Sequence, residues 1–357
     1  MARWLILKNK PLPLLPRFLK LLIKKLKMKL GLYRFNYFFG QLQPMLIIAG
    51  KQKNPALWLY RNNARSPLFM LEALAKLNSS FHNKKKFTKI ESHFKLLEDT
   101  LGSIDYYDVA AKELAKNKKI PSSIIHYLHA QSREKIQQLN EILIEQDWLS
   151  PDKNRINKIQ KKLLEIRWQK EATEVKGINE FYGESIYHIA SFIQGINYQF
   201  SELESELHEI RRKLRWLSIY AQATRGSIQS RKQKKVAPHL KKYCIPAITS
   251  SSFNKMPNPG KAKYVLLMDQ QYFYSLSWLI EELGKIKDNG LPILAIKEAL
   301  QQTSSITEAE AYKKTYQLLG KQHPTLPTIL ENASKICKTF FTEQNLEHLV
   351  MGIEKTS

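Results

Sequence analysis

Apolar residues recur along most of this chain at intervals of three and four, the spacing that lines one face of a helix, and almost nowhere at the alternation of a strand. In residues 14–30, Leu15, Phe18, Leu19, Leu22, Leu26 and Leu30 fall on helical spacing while Arg17, Lys20, Lys24, Lys25 and Lys27 fill the rest. That pattern predicts a basic amphipathic helix, suited either to a membrane surface or polyanion or to packing its stripe on the main body. Residues 57–80 read as a helix with Arg61 and Arg65 near its start, then a lysine connector (Lys84, Lys85, Lys86) and a further helix from about Ile90. After Pro121 a helical stretch runs to Trp148. Ser150, Pro151 and Asp152 read as a stop and a new N-cap, opening a helix over 152–176 with Ile156, Ile159, Leu163 and Ile166 on its apolar side. Residues 184–225 form a long helical region softened only at Gly195. The stretch 231–260, rich in lysine, proline and serine, is the most evident loop. Helices resume over 264–285, 292–302, 307–319 and 326–344, and 264–268 is the one short strand candidate.

The chain has 357 residues, 43% of them hydrophobic, enough for a proper core. Charge changes the picture more. Lysine and arginine number 57 against 32 acidic residues, a net charge of +25 that folding does not require and that costs self-repulsion. Such an excess points to an anionic partner: nucleic acid, an anionic membrane face or polyphosphate, each of which gains from counterion release. The two cysteines, Cys244 and Cys337, form no disulfide framework or zinc pattern and fit a reducing, cytoplasmic setting. Pro11, Pro13, Pro16, Arg17 and Lys20 break the apolar N-terminal stretch, so neither a transmembrane segment nor a secretory signal is predicted.

Residues 207–221 concentrate this charge. At 100° per residue, Leu207, Ile210, Leu214, Leu217 and Ala221 share one narrow seam, predicted to be buried. His208, Arg211, Arg212 and Arg215 share a stripe about a quarter turn away. Like charges on one face repel, and such a stripe persists when a ligand neutralises it, although Glu204, Glu206 and Glu209 can relieve part of the repulsion and a solvated helix face is the alternative.

His208, Arg211 and the run Lys213-Leu214-Arg215-Trp216 resemble the signature helix of the CHAD domain, the conserved histidine α-helical domain; Ser218 and Ile219 stand where that family has its last arginine and tyrosine. A second family feature, a Leu-Gly turn followed by an acidic residue, is matched twice, at Leu101-Gly102 with Asp105 and Asp108 and at Leu283-Gly284 with Asp288. The resemblance covers about residues 55–345. It implies an all-α fold of two related antiparallel bundles, duplicated four-helix units packed around a basic groove. A basic N-terminal extension over 1–54 then precedes a first bundle over 55–180 and a second over 181–357. The first unit's counterpart of the His208 helix, near 62–81, is eroded: Arg61 and Arg65 remain, with Asn62 in the histidine's place and Pro67, Phe69 and Glu72 following.

What the resemblance implies is non-enzymatic binding of inorganic polyphosphate by His208, Arg211, Arg212, Lys213, Arg215, Arg61 and Arg65, with no cofactor, in the cytoplasm or on polyphosphate granules. Polyphosphate offers only anionic oxygens, so its binder needs a line of Lys and Arg donors and no base-stacking platform. A single-strand nucleic-acid binder would interleave aromatics, of which Trp216 and Tyr220 lie near the stripe. A nucleic-acid-associated helical protein and a membrane-peripheral scaffold anchored by residues 14–30 are the alternatives. No P-loop, G-x-S-x-G or H-E-x-x-H motif marks an enzyme. His126 and His129 lie one helical turn apart without a third ligand nearby in sequence. Glu202, Glu204 and Glu206 alternate as in triphosphate-hydrolysing strands, but within a predicted helix.

Overall fold

The computed structural model describes residues 29–150 and 154–356, and the amphipathic helix predicted over 14–30 lies, but for its last two residues, outside them. The described chain is mostly helical, as its periodicity dictates, with one small sheet that the all-α expectation lacked. It divides into two compact units, one running to Glu98 and including Leu139–Lys170, the other comprising Asp99–Gln138 and Glu171–Ser357.

In the first unit, α1 (Leu30–Ala49) packs on α3 (Arg65–Phe81) and on α6 (Arg155–Leu164), while its Phe35 and Phe39 meet the rings of Phe87, Phe94 and Trp168. Phe35, Phe39, Phe87, Phe94, Trp148 and Trp168 form its buried centre. The single helix expected over 57–80 is two: α2 (Pro55–Arg61) opens on Asn54, whose side chain accepts from the Leu57 amide, and ends where Asn63 turns left-handed at φ 57°. The lysine connector is not a connector. Lys84, Lys85 and Lys86 form the first turn of α4 (Lys84–Leu114), continuous through the Leu101-Gly102 pair expected to be a turn. One glycine weakens an interior by only about 1 kcal/mol, and the flanking residues are good helix formers. After α5 (Ser122–Glu145), Asn154 rather than Asp152 caps the next helix, α6, which stops at Leu164 instead of reaching 176.

The second unit is built on α7 (Glu171–Gly195), α8 (Glu209–Ala223), α9 (Gln270–Thr303), α10 (Glu308–Leu319) and α11 (Leu326–Thr342). The region 184–225 is broken where Asn197 and Tyr198 turn left-handed, and it re-enters helix through a π turn, Leu203–His208, that leads into α8. Helix α9 absorbs two features expected to interrupt it, Leu283-Gly284 and Pro292, and runs through Gly290 as well. Asp269 starts it, its carboxylate accepting from the amides of Gln271 and Tyr272. Pro292 brings no N–H, so the Asp288 carbonyl lacks its intrahelical donor.

The sheet has order β1-β2-β3, with β1 (Ile228–Arg231) parallel and β3 (Val350–Lys355) antiparallel to β2 (Tyr264–Asp269). Strand β2 is the predicted 264–268 segment, and Val265, Leu266, Leu267 and Met268 are all buried, the continuous apolar run of a strand covered on both faces. Its neighbours carry too few apolar residues to declare themselves in sequence. No helix of the described residues is long and apolar enough to cross a membrane.

Candidate anion-binding site

The seam predicted for residues 207–221 is buried as read: Leu207, Ile210, Leu214, Leu217 and Ala221 have no measurable exposure. This fixes the rotation of α8 and turns His208, Arg211, Arg212 and Arg215 toward its other side.

The stripe is only partly neutralised. His208 Nδ1 lies 2.7 Å from Glu204 Oε2, a contact set by the π turn that carries both residues. Glu209 is shared, 2.6 Å from Arg212 and 3.3 Å from Lys213. Glu206 is occupied elsewhere, accepting from the amides of Ser201 and Glu202. Arg215 is half-buried.

Arg211 is the most constrained member. Its guanidinium lies against Gly284 of α9, where a Cβ would stand 3.0 Å from both Nε and Nη2, and its Nε donates to the Ile280 carbonyl at 3.1 Å. Among the described residues its terminal nitrogens meet no acceptor. Burial pulls it below the usual arginine value, opposed by Asp288. Lys287, which sequence reasoning passed over, sits beside it with a side chain 12% exposed, its ammonium 3.7 Å from Asp288. Burial lowers Lys287, with Asp288 and Glu204 raising it and Arg211 lowering it further. The two family-like elements therefore form one object: Gly284 gives Arg211 room and Asp288 supplies charge. The only hint of Lys287 in the sequence was its place next to Asp288.

Two carboxylates, Glu209 and Asp288, are thus each shared by two cations. Two positive charges remain over, and those of Arg211 and Lys287 are drawn out of water, where an unbalanced charge is expensive. Beyond Glu204 the polar cluster continues through Tyr106 to Glu298, whose Oε1 accepts from Tyr107 at 2.9 Å and Tyr127 at 2.8 Å. Burial and that bond push Tyr107 up to about 12, so these phenols are donors at neutral pH.

Arg61 and Arg65 belong to the first unit. Arg61 ends α2 in an exposed position, while Arg65 pairs with Glu98 at 2.5 Å and lies over the Phe69 ring at 5.1 Å. His126 is exposed on α5, and among the described residues no three His, Cys, Asp or Glu are grouped to hold a metal ion. Trp216 stacks on Tyr220 at 5.5 Å, and Tyr220 is 2% exposed, so the pair is packed with itself rather than spread as a platform.

No protein-family profile, curated protein or solved structure matches this chain.

Proposed function

We propose that this protein binds a linear polyanion without chemistry of its own, inorganic polyphosphate being the ligand that fits best. The observation that carries the reading is the half-buried pair Arg211 and Lys287, which share Asp288 while the terminal nitrogens of Arg211 meet no acceptor among the described residues. A phosphoryl oxyanion supplies what that pair lacks, and the arginine fork suits its paired oxygens. His208, Arg212, Lys213 and Arg215 continue the donors along α8, and a chain excess of +25 draws the polymer in.

In the same reading the fold is a divergent CHAD-like arrangement, two related helical bundles around a basic groove, with Arg61 and Arg65 the first bundle's weaker contribution. The protein then works in the cytoplasm, on polyphosphate granules, with no cofactor. The aromatic arrangement favours polyphosphate over single-stranded nucleic acid, because a buried Tyr220 leaves no row of stacking faces.

The test is anisotropy with labelled long-chain polyphosphate, competed by duplex DNA and RNA at one salt concentration. Polyphosphate should bind tightest, with affinity falling steeply as salt rises. Equal competition by DNA would replace the ligand, and unchanged polyphosphate affinity in Arg211→Lys would remove the site.

A further inference from the structure

The first unit carries a second basic surface that the reading above does not use. On α4, residues Lys84, Lys85, Thr88, Lys89 and Ser92 recur at spacings of three and four and line an open depression of about 660 Å³. All five are exposed. Several exposed lysines elsewhere reach a carboxylate one turn away: Lys112 to Asp108 at 2.5 Å, Lys116 to Glu113 at 2.6 Å, Lys335 to Glu331 at 2.6 Å. Around Lys84, Lys85 and Lys89 the positions three and four residues away hold no acid, and none of the three has an ion pair among the described residues. Lys85 and Lys89 are a like-charge pair at i,i+4, an arrangement that weakens a helix. Lys86 pairs with Glu165, just past the end of α6, at 3.6 Å.

That contact sets α6 beside the lysines, and α6 adds to the charge. Arg155 and Lys162 lie close enough to His93 on α4 to depress its protonation, together with burial, the largest cause, and with Lys89, while a bond to Gln146 opposes them. Two large apolar side chains stand out in this basic setting: Leu164 at the end of α6, 66% exposed, and Leu96, 37% exposed and one turn beyond Ser92 on α4. Phosphate chains and nucleic-acid backbones gain nothing from an exposed leucine. Lysines interspersed with leucines match a bilayer interface, whose headgroups are anionic and whose acyl boundary is apolar.

We propose that this face of α4 and α6 docks on an anionic phospholipid surface, Lys84, Lys85 and Lys89 meeting the headgroup phosphates and Leu164 and Leu96 entering the interfacial layer.

The test uses the full-length protein and sedimentation with vesicles of phosphatidylcholine alone or with about one third phosphatidylserine. Binding is expected on the anionic vesicles only. The exposed triple variant K84E/K85E/K89E should lower that partition by roughly a hundredfold or more, the product of about a fivefold loss for each of the three lysines removed from the surface. Leu164→Ser should lower it severalfold while leaving polyphosphate binding unchanged, and far-ultraviolet circular dichroism verifies the fold of each variant. Vesicle binding that survives the triple variant overturns the proposal. So does a Leu164→Ser protein that binds vesicles as well as the parent while the triple variant loses vesicles and polyphosphate alike, for the face would then be a simple polyanion track.

Discussion

The guanidinium of Arg211 rests against Gly284 with no space between them for a methyl group: a Cβ there would stand 3.0 Å from both Nε and Nη2. Alanine in a helix interior normally gains about 1 kcal/mol over glycine. In Gly284→Ala that gain is offset by displacement of the guanidinium from the Ile280 carbonyl, a bond worth about 1 kcal/mol. Urea unfolding should therefore change little, whereas polyphosphate affinity should fall severalfold. An alanine protein that binds like the parent would show that the seating of Arg211 is irrelevant to binding.

Lys287 is a charge held largely out of water with one shared partner. Lys287→Met should raise stability by about 1 kcal/mol near neutral pH, since an apolar side chain of similar length removes an uncompensated charge. The same change should weaken polyphosphate binding and reduce the slope of log affinity against log salt by about one. The folded-state value of Lys287 is depressed, so its destabilising contribution is present below that value and fades as pH rises toward the ordinary lysine value. The gain from methionine should shrink over the same alkaline range in denaturation curves.

Glu204 has the opposite sign. The bond from His208 holds its carboxyl below the usual glutamate range, so the stabilisation is present above about pH 4.3, the unfolded value, and is lost as pH falls through the folded one. Because the side chain is half-exposed, the effect is small, about 0.5 kcal/mol or less. Thermal melts of the parent and Glu204→Gln should differ by a constant amount at neutral pH and converge in acid. A gap that persists undiminished in acid would assign the difference to something other than this ionisation.

Gly290 seats the π turn. A Cβ at that position would fall 2.6 Å from a Leu203 methyl, and Leu203 is 1% exposed with little room to retreat. Overpacking costs typically 1–3 kcal/mol, so Gly290→Ala should lose about 1 kcal/mol net of the helical gain. The loss would appear as a lower urea midpoint with an unchanged slope.

The parts of this fold that were legible in sequence are those where apolar periodicity decides the outcome. The seam of Leu207, Ile210, Leu214, Leu217 and Ala221 was readable because five residues repeat one interval, and the burial of β2 because four apolar residues run together. What escaped depends on tertiary support. Pro292 and Leu283-Gly284 read as interruptions, yet packing of α9 against α8, α10 and α11 carries the helix through them. The break at Asn197 and Tyr198 lies just past Gly195, the soft spot the sequence did show, but a weak point does not say that the chain turns there, and β1 and β3 were hidden because pairing with β2 makes them strands. At the site, the stripe was legible by rotation about one axis, but Lys287 lies on a different helix, and no spacing along the chain announces a neighbour 76 residues away.

The π turn at Leu203–His208 has a bearing on how this segment tolerates insertion and deletion. A π turn holds one residue more than the α-helical turn it replaces, so loss of a single residue there would let α8 continue as ordinary helix. Everything upstream would then rotate by about 100° about the axis, carrying Leu203 off Gly290 and Glu204 away from His208. Substitutions along α8 adjust the strength of the site, whereas its alignment with α9 hangs on chain length at one turn, which makes this the place where a one-codon change would be felt most.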